Sequence, residues 1–174
     1  MGDDVVVLLS GVAEISPADP AVFPVAAAGA LADLLARTSE DSYILVGHSL
    51  GARAMVVTAQ TLASKKDGPR VEAMHLLGAA IGGKSDWNSL MAKVDDAVYN
   101  YHSVNDSVLK FPYAATQPGE CAAGLTGFKA GGGKMQNIDV SVQVKSHFQY
   151  HRNVRLLSQP VVRISQGEIA PLGT

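Results

Sequence analysis

The hydrophobic positions fall into short continuous runs separated by polar or glycine-rich breaks. Val5 to Leu9 is unbroken β-branched and aliphatic residues ended by Ser10-Gly11, the pattern of a strand covered on both faces. Beyond Pro17, Pro20 and Pro24, the Ala- and Leu-rich stretch Val25–Arg37 predicts a helix packed on the sheet. A second strand is expected over Ser42–Val46, then a helix from about Ala52 to Ser64. A third strand over Val71–Leu77, a helix over Trp87–Val94 and a fourth strand over Ala97–His102 continue the alternation. The long glycine-rich stretch from Gln117 to Gln136 predicts a loop, and the alternating Ile138–Val144 a last strand. Phe148–Leu157 reads as a closing helix, and the tail from Pro160 as an appendage.

Strands alternating with helices predict a compact α/β fold, mostly parallel, with right-handed crossovers and helices on both faces. With 174 residues and no internal repeat, one domain over 1–174 is expected.

Composition adds exclusions. A chain that is 47% hydrophobic and 17% charged is globular. A formal net charge of −2, with no basic cluster interleaved with aromatics, argues against nucleic acid as partner. Cys121 is the single cysteine, which rules out an intrachain disulfide and mildly favours a reducing, cytoplasmic location. Met1-Gly2-Asp3-Asp4 is not the positive start of a signal peptide, and no apolar run approaches the roughly 20 residues of a membrane span.

The chemistry concentrates at Gly47-His48-Ser49-Leu50-Gly51. This is the G-x-S-x-G nucleophile elbow, placed between a strand and a helix as that turn requires. Glycines allow the tight turn, the turn exposes the Ser49 hydroxyl, and the following helix aims its first amides at any oxyanion formed there. A serine hydroxyl needs a base, and the base an acid to orient it. In the chain order serine, acid, histidine, Asp106 lies just past the carboxyl end of the fourth strand and His147 just past the last strand. His151, inside the closing helix, is the reserve base. His48 is read as a neighbour that shapes the turn, and His75 and His102 as histidines of strands. Asp95 and Asp96 precede the fourth strand and Asp139 begins the last one, which assigns them turn or capping roles. The oxyanion hole would pair the Leu50 amide with that of Gly11 or Val12.

Two glycine-rich stretches are set aside. Gly78 to Gly83 lacks the G-x-G-x-x-G spacing of a dinucleotide site, and Gly131-Gly132-Gly133-Lys134 is followed by Met135 where a phosphate loop needs Ser or Thr. No metal-ligand spacing is present, so neither cofactor nor metal is expected.

With these residues placed, the chain from about Pro24 to Tyr150 resembles an α/β-hydrolase family, that of the transmembrane and coiled-coil domain proteins. The likeness rests on Val46 to Arg53, on Leu76-Leu77-Gly78-Ala79, on Tyr99 to Leu109, and on Asp139-Val140-Ser141 with Ser146 to Tyr150. It places Ser49, Asp106 and His147 on that family's triad, the residues already chosen by position. The chain departs from the family in having no membrane segment and in its short connection between Gly11 and Pro24. The expectation is a serine hydrolase cleaving an ester or thioester, acting on a small molecule with an apolar acyl group near Ala114, Ala115 and Leu125. An acyltransferase using the same triad, or an inactive hydrolase scaffold that only binds, are the alternatives.

Overall fold

The computed structural model describes residues 5–11, 22–110, 120–129 and 133–157, with side chains from Val25 onward. Five strands, β1 Val5–Gly11, β2 Ser42–Ser49, β3 Arg70–Leu77, β4 Val94–His102 and β5 Met135–Asp139, form one sheet in the order β1-β2-β3-β4-β5. Every neighbouring pair is parallel, so all strands deliver their carboxyl ends to one edge. The helices α1 Val22–Leu35, α2 Leu50–Leu62 and α3 Trp87–Met91 supply the crossovers. Pro24 falls in the first turn of α1, where its missing N–H costs no helical hydrogen bond.

Period-two alternation divides the strands between two cores. Tyr43 and Leu45 of β2, Met74 and Leu76 of β3 and Val98 of β4 pack with Met55, Ala59, Leu62, Trp87 and Leu90 from the helices. Ile44, Val46, Leu77, Ala97, Tyr99 and Tyr101 face the other way, under Val140, Val144, Tyr150 and Val154 of the final described segment. That second cover consists of a turn, a 3₁₀ turn over His147–Gln149 and a short helix Tyr150–Asn153, where one closing helix over Phe148–Leu157 was expected.

The last strand also differs from expectation. β5 pairs with β4 only from Val98↔Met135 to His102↔Asp139, and β4 ends at His102. The Val140 amide makes the last bond to β4, donating to the His102 carbonyl at 2.9 Å, and Val140 then begins a turn in which its carbonyl accepts from Gln143 and Val144. The alternation of Val140, Val142 and Val144 therefore belongs to a turn that buries two valines and exposes Val142. Part of the expected loop, Ala123–Thr126, is a short helix. Asp95 and Asp96 lie within β4, and Asp95 pairs with Arg70 at 2.9 Å.

Candidate functional site

Ser49 is the last residue of β2 and stands immediately before α2, with φ 58° and ψ −120°. A serine in this left-handed region costs about 1–2 kcal/mol, which the surrounding structure has to hold in place. Gly47 makes the turn feasible, because a Cβ there would lie 2.6 Å from the Ala52 Cα at the start of α2. On the other side the Ala80 amide donates to the Ser49 carbonyl at 3.2 Å, tying the turn to the segment that leaves β3. Leu50 opens α2, so its amide is one of the first-turn donors without an intrahelical acceptor. Gly11 is in register with Ser49 at the end of β1, and Val12 lies outside the described residues.

Asp106 and His147 meet. Asp106 follows β4, and its Oδ1 accepts from the Leu109 amide at 3.1 Å, capping the helical turn over 107–110. Its Oδ2 accepts from His147 Nδ1 at 2.7 Å, and both side chains are fully buried. A carboxylate at Nδ1 fixes the proton there and leaves Nε2 as the lone-pair nitrogen of a neutral imidazole. Nε2 is buried and, among the described residues, has no hydrogen-bond partner, so it is not bonded to the Ser49 hydroxyl in this state. Such contacts commonly tighten only when substrate is bound.

The loops carrying this pair are laced together. Ser103 Oγ donates to the Val144 carbonyl at 2.8 Å, Asn105 Nδ2 to the Ser141 carbonyl at 2.8 Å, and the Val104 amide to Ser141 Oγ at 3.1 Å. His48 Nε2 donates to the His147 carbonyl at 2.9 Å, and the two rings lie 4.7 Å apart. Burial, then the neighbouring His147, depress His48 to about 4, so it stays a neutral donor at neutral pH. Its part is thus to hold the backbone of His147. Tyr150 stands beside Asp106, and burial followed by that carboxylate's charge pushes its phenol well above the ordinary range. Its hydroxyl donates to the Gly124 carbonyl at 3.2 Å. Gly78, at φ +51°, leaves room for the ring: a Cβ there would fall 2.7 Å from Tyr150 Cε2 and 3.3 Å from Asp106 Oδ2.

The other candidates separate from this group. His151 is exposed on the short final helix. His75 is stacked 4.9 Å from Tyr99 and bonded to the Tyr101 hydroxyl, and burial depresses it to about 4. Burial likewise lowers His102. Asp139 ends β5 instead of beginning it, so it shares the edge of Asp106; it is nevertheless exposed, and its carboxylate is taken by the amide and hydroxyl of Ser141. Ala114 and Ala115 lie outside the described residues, while Leu50 and Leu125 pack half-buried on Ala80, Leu109 and Ala122 beside the Ser49 turn.

Tyr150, Ser103, Asn105, Ser141 and Gly124 were not singled out for these roles by sequence reasoning, and each acts across 26 to 41 residues of chain. Only Gly78 carried a local signal, a glycine directly after a strand. Two concavities of about 290 and 370 Å³ lie away from Ser49, one near Arg70 and one near Tyr101. Among the described residues no cluster of His, Cys, Asp or Glu has a metal-binding arrangement, and no helix is long and apolar enough to cross a membrane.

Relatives extend these local observations. An uncharacterized membrane protein of Schizosaccharomyces pombe is 31% identical over 115 residues, covering 65% of this chain and 15% of that protein. Transmembrane and coiled-coil domain-containing protein STS1 of Oryza sativa subsp. japonica is 32% identical over 108 residues, 61% of this chain and 16% of its own. The chain thus spans less than a fifth of the length of these relatives. No solved structure matches. One family model, described as "Protein of unknown function (DUF726)", matches residues 23–163, from α1 through the segment bearing His147, and the chain belongs to that family.

Proposed function

We propose that the chain is a serine hydrolase of the α/β-hydrolase class that cleaves a carboxylic ester, or a thioester, through an acyl-enzyme. The observation that carries this reading is the buried Asp106–His147 hydrogen bond of 2.7 Å, which leaves an unpartnered Nε2 on the sheet edge where the strained Ser49 turn also lies. In this reading His147 Nε2 takes the Ser49 proton as Oγ adds to the ester carbon. Asp106 steadies the resulting imidazolium, and the Leu50 amide, with that of Gly11 or Val12, receives the oxyanion. His147 then returns the proton to the departing alkoxide, and water repeats the sequence to release the acid and free Ser49. The apolar cluster of Ala80, Leu109, Ala122, Leu50 and Leu125 supports an apolar acyl group as the substrate's recognised part. No cofactor enters these steps. The lone free Cys121 suits a reducing compartment such as the cytosol, while the names of the relatives point to a membrane-associated setting.

The test is labelling by a fluorophosphonate probe, read as intact mass on wild type, Ser49→Ala and His147→Ala. Adduct on wild type alone supports the proposal. No adduct on folded wild type favours a non-catalytic scaffold, the reading that the unbonded Nε2 and the 5% exposure of Ser49 would then explain.

A further inference from the structure

The segment 140–157, which brings in His147, has an unusual surface for this chain. It holds Lys145, Arg152 and Arg155 and neither Asp nor Glu, although the whole chain carries a formal charge of −2. All three cations are exposed. The same segment displays four of the seven exposed large apolar side chains among the described residues: Val142 (82% exposed), Phe148 (56%), Leu156 and Leu157. A fifth, Val104, is tied to this segment through the bond from its amide to Ser141 Oγ. Phe148 stands edge-on to the His147 ring at 5.6 Å, which puts this surface next to the candidate site.

The arrangement is held by the fold. Asn153 Nδ2 bonds the Gln143 carbonyl at 2.7 Å, Lys145 Nζ the Ser141 carbonyl at 2.8 Å, and the Leu157 amide the Tyr101 hydroxyl at 2.8 Å. Asp139, the nearest acid in sequence, is exposed and stays ionised, because the hydroxyl and amide of Ser141 hold its carboxyl below the usual range; it offsets one of the three cations and leaves the surface net positive. Exposed aliphatic and aromatic groups set among cations complement a surface whose headgroups are anionic and whose interior is apolar. Nucleic acid would use the cations and leave Val142, Phe148 and the leucine pair without an apolar partner.

We propose that the cationic, apolar surface formed by residues 140–157 and Val104 docks this chain on anionic phospholipid bilayers. The inference stands whether or not Ser49 is catalytic.

The experiment is co-sedimentation of the 174-residue chain with vesicles of phosphatidylcholine alone and of phosphatidylcholine containing phosphatidylserine. Binding is expected on the phosphatidylserine vesicles only, and to weaken as salt is raised. Arg152→Glu and Lys145→Glu should each weaken it about fivefold or more. The double variant Val142→Ser, Phe148→Ser should weaken it as well at unchanged circular dichroism, and Ser49→Ala should bind as wild type. Equal partition on the two vesicle types, no binding to either, or binding indifferent to the Val142 and Phe148 changes would overturn the proposal. So would a dimer in light scattering that the double variant dissolves, since a second copy would then be the occupant.

Discussion

One chemical change, glycine to alanine, should have opposite effects at two places in this fold. Gly124 is fully enclosed in the short helix after residue 120, and a Cβ there would lie 2.1 Å from the Ala79 amide nitrogen and 2.2 Å from the Gly78 carbonyl carbon. Both are backbone atoms, so no rotamer change can make room. Restoring ordinary contact demands a displacement of more than 1 Å. The two segments are also bonded to each other, Gly124 N–H to the Ala79 carbonyl at 3.0 Å and Ala123 N–H to the Ile81 carbonyl at 2.7 Å. Overpacking costs roughly 1–3 kcal/mol and each weakened hydrogen bond about 1 kcal/mol, so Gly124→Ala should lose roughly 3–5 kcal/mol. For a chain of this size the melting temperature should fall by about 10 °C. Gly29, in the middle of α1, has nothing within 4 Å of its would-be Cβ, and Gly29→Ala should gain roughly 0.5–1 kcal/mol from helix propensity. Urea unfolding reports both, with the fluorescence of buried Trp87, the chain's one tryptophan, as probe. A Gly124→Ala midpoint within about 1 kcal/mol of wild type, or the same sign at both positions, would refute the reasoning.

Two further outcomes are expected. Asp106→Asn keeps a group of the same shape against His147 but no longer holds the proton on Nδ1, so ester turnover should fall about 10⁴-fold with little change in the urea midpoint; turnover within tenfold of wild type would remove Asp106 from the proposed mechanism. His48 and His75, depressed in the folded chain to about 4 from 6.5, bind protons in the unfolded chain first as pH falls. Stability is therefore complete above about pH 6.5 and declines toward pH 4, by at most about 1.4 kcal/mol per pH unit for each histidine. Urea midpoints measured across that range should show the decline, and His75→Phe should flatten it; a flat wild-type profile would contradict the burial of these rings.

What could be read from the sequence was local. The strand-turn-helix around Ser49 was legible because glycine, serine and glycine at fixed spacing solve one steric problem within five residues of chain. The placement of Asp106 past the end of β4 followed from the same parallel alternation, and the structure brings its side chain to His147, although His147 lies in a 3₁₀ turn well beyond the end of β5 and not directly after a strand. The misplacement of β5 came from Val140, Val142 and Val144, whose period-two spacing imitates a strand although β4 has already ended at His102. The same error put Asp139 on the wrong edge. Tyr150, Ser103 and Gly124 were illegible in these roles because their partners are remote in the chain. No window of neighbouring residues holds that information.

The order of strands across the sheet is the order of synthesis, and this gives assembly a direction. Each new strand pairs with the one made just before it, so the parallel sheet extends from a single growing edge. The buried Asp106 and its histidine partner, however, are joined across the gap that only β5 closes. A nascent chain that has added β4 but not β5 would hold a carboxylate with no imidazole, beside a serine turn already formed. The Asp106–His147 bond cannot form before the chain beyond β5 has been made, and its appearance would serve as an internal marker that β5 has joined β4.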